Sequence, residues 1–245
     1  DEAEAAGREY GVEIIRGCEL GVQGQYGEIH LLGLWLPRHS APLDAELARL
    51  RGHREERNLK ILDRLRSIGI NIGYQEVLDE AGGESVGRPH IARVLQKRGI
   101  VSNFVQAFEL YLGYYGAAYV PRTLLTPEEG VSLMADLGAV VSFAHPMLIR
   151  CPPSWFDEII PRLKEAGLGA IEAYHSEHSA RDERFCVELA ARYGLGLSGG
   201  SDYHGMAKPG VELGRGKGGL RVTVALLDAL KARRKRPVDD APEVL

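Results

Sequence analysis

Between Thr126 and Asp202 the chain spells the same sentence three times: a helix-period stretch, a glycine, then a short apolar run. "TPEEGVSLMADLG" leads to "AVVSFAHP", "SWFDEIIPRLKEAGLG" to "AIEAYH", and "SARDERFCVELAARYG" to "LGLSGGSD". Alternation of this length buries each helix stripe against a strand face, so it predicts a parallel sheet covered by helices. Thr126 and Pro127 supply an N-cap and a first-turn proline, followed by acids that suit the helix dipole. Upstream, "DEAEAAGREYG" predicts a helix ending at Gly11, and "VEIIRGCELG" and "GEIHLLGLWLP" predict strands joined by the hairpin-like "VQGQYG". From Leu43 to Ser67 the spacing of Leu50, Leu59, Leu62 and Leu65 predicts a long amphipathic helix. "YQEVLDEAGG", "GRPHIARVLQKRG" and "SNFVQAFELYLG" each stop at glycine and read as short helices. They break the alternating rhythm, so residues 74–116 are expected to form an inserted helical subdomain within a domain made of 1–73 and 117–245.

Bulk properties exclude several classes. A net charge of −4 gives no reason to expect a protein that coats nucleic acid. The basic run Lys231–Pro237 reads as a solvated helix end. Three scattered cysteines without a CxxC suggest neither a disulfide framework nor a zinc ribbon. With no apolar stretch of membrane-spanning length and no signal peptide, a cytoplasmic setting is the expectation, and no protein partner is inferable. Phosphate loops of the GxxxxGK[ST] type and GxSxG elbows do not occur, and "GRGKGG" lacks the strand-turn-helix context, reading as a flexible loop.

Ionisable residues fall at or near the ends of the expected strands: Glu19, His30, His145, His175, and Asp202 with His204 in "GSDYHG". In parallel α/β sheets those ends line the mouth where ligands bind. A single histidine there is more often a hydrogen-bonded core group. The collection, however, mixes imidazole with carboxylate, a donor set that suits zinc, manganese or iron. His39 and His53 read as surface residues.

Together, "GCELG", "EIHLLG", "GRPHIARVL", "AHP" and "GSDYHG" resemble, in order, the PHP family of polymerase and histidinol phosphatase domains. The resemblance is to the branch of nucleoside 3',5'-bisphosphate phosphatases, which includes a 5'-to-3' exoribonuclease. It implies an α/β fold: a distorted (β/α)7 barrel with an inserted helical subdomain and a centre of up to three divalent metal ions. By motif, Glu19 would bridge two ions and His30 and His145 would complete the second. Asp202 would bind the first ion and His204 the third. Arg88 and His90 would face a substrate phosphate, a role that suits guanidinium; a helix-start salt bridge is the alternative for Arg88. His175 and His178 either line the cleft or sit in a solvated loop, and the loop is the expectation.

The family's HxH and DHD motifs do not occur, so the resemblance predicts a barrel short of its first two strands and fewer than three ions. The first ion would keep Glu19 and Asp202, the third only His204, and the second all three of its protein ligands. The implied reaction is hydrolysis of a phosphomonoester by metal-activated water, with no side-chain nucleophile. Its substrate would be a nucleotide such as pAp, or the 5' end of a short RNA. A non-catalytic metal- or nucleotide-binding remnant is the alternative, and histidinol-phosphate hydrolysis a weaker one.

Overall fold

The computed structural model describes residues 1–83, 85–205 and 208–234. It divides into two compact units, residues 1–43 with 125–245, and residues 44–124. Of the basic run, 235–237 lie outside the described residues; Lys231 sits in the last turn of its helix, as expected.

In the first unit, helix α1 (Glu2–Tyr10) ends at Gly11, whose left-handed φ of 67° lets its N–H close back on Gly7. Strands β1 (Gly17–Gly24) and β2 (Gly27–Leu34) form an antiparallel hairpin, with Gly24 opposite Gly27 across a two-residue turn. Residues 12–16, expected to open the first strand, lie outside it, although the Arg16 carbonyl accepts from Leu36 N at 3.1 Å. β3 (Val140–Phe143) lies antiparallel to β2, and β4 (Leu168–His175) and β5 (Gly196–Gly200) follow parallel to it. The sheet therefore runs β1-β2-β3-β4-β5 and is mixed rather than wholly parallel. Val141, Phe143, Ala170 and Ile171 are buried on the parallel side, the near-continuous apolar pattern expected where helices cover both faces.

The three predicted helices each precede their strand as the sequence implies. Helix α6 (Pro127–Ala135) is closed by a capping box, the Thr126 hydroxyl accepting from Glu129 N and the Glu129 carboxylate accepting from Thr126 N. α6 crosses the hairpin closely at Gly130, where a Cβ would stand 2.6 Å from Val22 Cγ1. α7 (Ser154–Ala166) and α8 (Ala180–Tyr193) complete the units, and Ser179 with Asp182 caps α8 in the same way. Helix α9 (Val224–Lys231) packs against β5.

The second unit is all helical. It holds most of α2 (Ala41–Ser67), then α3 (Tyr74–Ala81), α4 (Arg88–Lys97), α5 (Phe104–Ala107) and a π-helical turn (Phe108–Leu112). Ile61, Leu62 and Leu65 of α2 join Ile72, Ile91, Leu95 and Leu112 in one buried cluster. This shared core explains why the helical unit is wider than the segment 74–116 read from the sequence. The buried face of α2 runs through 58, 61, 62 and 65, so Leu59, counted in the expected stripe, turns 42% to solvent.

Candidate metal centre

The hairpin decides the geometry of the first donors. Glu19 pairs with Leu32, and Gly21 with His30. Partners across an antiparallel pair share a face, as do residues two apart, so Glu19 and His30 are diagonal neighbours. Neither lies at a strand terminus, a correction to the sequence reading. His30 reaches the mouth of the sheet because β2 runs opposite to β3: Ala144 N donates to His30 O at 3.0 Å, just past the end of β3. His145 comes next along the chain.

Three donor atoms converge there. Glu19 Oε1 lies 2.7 Å from His30 Nδ1 and 3.3 Å from His145 Nε2, and the two ring nitrogens are 3.3 Å apart. A second group contains Glu19, Asp202 and His204, whose ligand atoms all lie within 4.8 Å of one another. Glu19 thus belongs to both groups. The sequence-read donors Glu19, His30, His145, Asp202 and His204 are brought together on one unit of the protein, and four of them, all but His30, line one cavity of about 380 Å³.

The backbone is strained at two of these positions. Among the described residues, three that are not glycine adopt positive φ: Trp35, His145 (28°) and Asp202 (52°). Such conformations cost free energy and persist where surrounding structure enforces them, commonly at functional sites. At His145 the enforcing contact is a hydrogen bond from its backbone N to Glu172 Oε2, 2.6 Å.

Glu172 and His175 are the residues that sequence reasoning missed or misplaced. Glu172 is 3% exposed in the middle of β4, and burial pushes its carboxyl up to about 7, against the opposing pull of His145. Its signal was one acid within the apolar run "AIEAYH". His175 is no solvated loop residue: it is 2% exposed, and burial holds its ring down at about 4. Its Nε2 stands 3.6 Å from Asp202 Oδ2, too far for a hydrogen bond. His178 Nδ1 contacts the carbonyl of Ala173 at 2.9 Å. The Nε2 atoms of His175 and His178 are both buried without a hydrogen-bond partner.

Four imidazoles therefore follow one another, His30, His145, His175 and His178, with successive ring centroids 5.0, 5.4 and 5.1 Å apart. The hydrogen bonds from His145 and His30 hold the Glu19 carboxyl well below the ordinary carboxylate range. Reciprocally, the bond to Glu19, with help from Glu28, raises His30 to about 9. Converging imidazoles around a shared carboxylate, with buried ring nitrogens left unpaired, fit a divalent cation. Lys208 Nζ, 2.6 Å from Asp202 Oδ2, places a positive charge against the same carboxylate.

Arg88 and His90 belong to the helical unit. Arg88 opens α4, donates to the Leu112 carbonyl at 2.9 Å and lies 5.6 Å from the Phe108 ring centroid. His90 is 7% exposed, and its Nδ1 accepts from Gly87 N at 3.0 Å, closing the N-terminus of α4. The three cysteines are free thiols, with Cys186 pushed up to about 12 by burial.

A mixed α/β sheet that gathers imidazoles and shared carboxylates at one end defines a metal-dependent hydrolase. A scan against protein-family models returns no match. Sequence relatives are specific. The 5'-3' exoribonuclease of Haemophilus influenzae is 31% identical over 204 residues, covering 83% of this chain and 74% of that protein. The 3',5'-nucleoside bisphosphate phosphatase of Chromobacterium violaceum is 27% identical, covering 97% of this chain and 84% of the relative. A crystal structure described as a metal-dependent phosphoesterase from Bifidobacterium adolescentis superposes with a TM-score of 0.78 at 26% identity, over 96% of this chain and 82% of that one. The chain belongs to the PHP family of metal-dependent phosphoesterases, in the branch of these exoribonucleases and bisphosphate phosphatases.

Proposed function

We propose that this chain hydrolyses phosphomonoesters of nucleotides, a 3',5'-nucleoside bisphosphate such as pAp or the 5' end of a short RNA, in the cytoplasm. The observation that carries the reading is the Glu19 carboxylate shared between two donor groups. Glu19, His30 and His145 would hold one divalent ion, and Glu19 with Asp202 and His204 a second. Manganese, zinc and iron all accept these donors, and the family centre has up to three ions. Bound there, such ions supply acidity to a coordinated water and neutralise charge on the phosphoryl oxygens.

The protein's own groups prepare that chemistry. Glu19 stays ionised, as a bridging ligand must. His175 stays neutral, and because its Nδ1 accepts from Glu177 N at 3.1 Å, the ring's one proton sits on Nε2, on the side of Asp202. Glu172 fixes the His145 backbone, and with it the direction of the ring. For Arg88 and His90 the support is chemical: a guanidinium and an imidazole at a helix start suit a second phosphate, which matches a bisphosphate or a nucleic-acid end.

The test is a phosphate-release assay with manganese on pAp and on a 5'-phosphorylated oligoribonucleotide. Turnover abolished by chelation and by Asp202→Ala is the expected result. Binding of either ligand without release of phosphate would overturn the reading in favour of a non-catalytic nucleotide-binding protein.

A further inference from the structure

The helical unit displays an aromatic surface that its own core does not use. Phe104, Tyr114 and Tyr115 are 40%, 71% and 94% exposed. Tyr114 stands edge-on to Tyr115, with centroids 4.9 Å apart, and tilts against Tyr119 at 5.3 Å. Phe104 tilts against Phe108 at 5.1 Å, beside the Arg88 guanidinium.

This surface is held by a fixed scaffold. Gly113 N donates to Phe108 O at 2.7 Å, Gly116 N to Gly113 O at 2.9 Å, and Tyr119 N to Gly116 O at 3.0 Å, knotting residues 113–119 into successive turns on the π-helical end. Only glycine fits at the two pivots. A Cβ on Gly113 would lie 2.6 Å from Phe108 O, and one on Gly116 2.4 Å from Tyr111 C. Single π turns of this kind cluster at functional sites. The aromatic rings are thus presented at little entropic cost, since their backbone is already ordered.

Arg64 donates to the Tyr119 carbonyl, which sets its guanidinium beside the ring that Tyr114 packs on. From Ile100 to Leu125 the chain has a single acid, Glu109. Exposed π-faces beside guanidinium groups match an anionic strand with unstacked bases.

We propose that Tyr114 and Tyr115 form a stacking platform for the bases of a single-stranded oligonucleotide, with Arg64 meeting its phosphates. The choice of a nucleotide polymer rests on the phosphoesterase reading, but the binding does not require turnover. The test is fluorescence anisotropy of the manganese-loaded full chain with a 3'-labelled, 5'-hydroxyl single-stranded RNA, which offers no terminal monoester to cleave. Tyr114→Ala and Tyr115→Ala are each expected to weaken binding on the order of tenfold, and Tyr115→Trp to retain it. An abasic strand of equal charge should bind weakly and ignore these substitutions. Unchanged RNA affinity in both alanine variants would overturn the proposal. So would a dimer that Tyr115→Ala converts to monomer, in sedimentation velocity, without loss of RNA binding; the occupant would then be a second copy of the chain. If these contrasts hold while pAp and 5'-phosphorylated RNA are not hydrolysed, the platform stands and the catalytic reading alone falls.

Discussion

At the scale of single residues, Glu19 joins the two donor groups, so its loss should be felt in both. Glu19→Gln keeps the shape but removes the charge. Manganese binding by calorimetry should drop sharply, and phosphate release should fall on the order of a hundredfold or more. The same pair sets a pH dependence. In the metal-free protein His30 is raised from about 6.5 to about 9 by its bond to Glu19. Its stabilisation is then fully present below the lower value and lost as pH rises through the upper one. Melting of the metal-free protein should therefore decline across that window, and Glu19→Gln should flatten the decline. Conversely, at neutral pH an ion must displace the His30 proton. Calorimetry in buffers of different ionisation enthalpy should register proton release on binding, with affinity falling as pH drops. The chemical identity of these donors was legible in the sequence, because imidazoles and acids in apolar runs stand out. Their mutual placement was not: the Glu19–His30 contact depends on hairpin register, which pairs Gly21 rather than Glu19 with His30. Glu172 went unnoticed because a lone acid in a strand has no distinctive spacing, and His175 was assigned to a solvated loop because burial of a strand end is a tertiary property.

At the scale of elements, the local signals were the readable ones. The N-cap and first-turn proline read at Thr126 and Pro127 hold, and Glu129, three residues on, completes a capping box there. Thr126→Ala should lower stability by about 1 kcal/mol, visible in chemical denaturation, while leaving metal binding intact. Gly130→Val should cost more, because its methyl groups would enter space held by Val22 and Leu31 on the hairpin beneath α6. The loss should be about 1–3 kcal/mol by the same measurement. The π turn over Phe108–Leu112 was unreadable by contrast, since its hydrogen-bond pattern leaves no periodic mark over five residues.

Across the whole molecule, the alternating helix and strand run from Thr126 onward made the parallel strands β3–β5 legible, while the antiparallel pairing of β2 with β3 was not. The limits of the helical unit depended on which face of α2 found a core. That core is self-contained: Leu95, fully buried, packs with Ile61, Leu65, Ile72 and Ile91. Leu95→Ala should remove about 2–5 kcal/mol from the helical unit. Measured below the unfolding transition, manganese binding at the Glu19 groups should be retained, which would assign the two properties to different parts of the chain.

The left-handed backbone at His145 and Asp202 sets robustness against competence. Glycine at either position would relax a conformation that costs about 1–3 kcal/mol, yielding a chain that folds more readily. The same exchange removes a donor of the proposed centre, so a screen that rewards thermal endurance alone should drift toward these glycines and collect proteins that survive heating but take up no manganese.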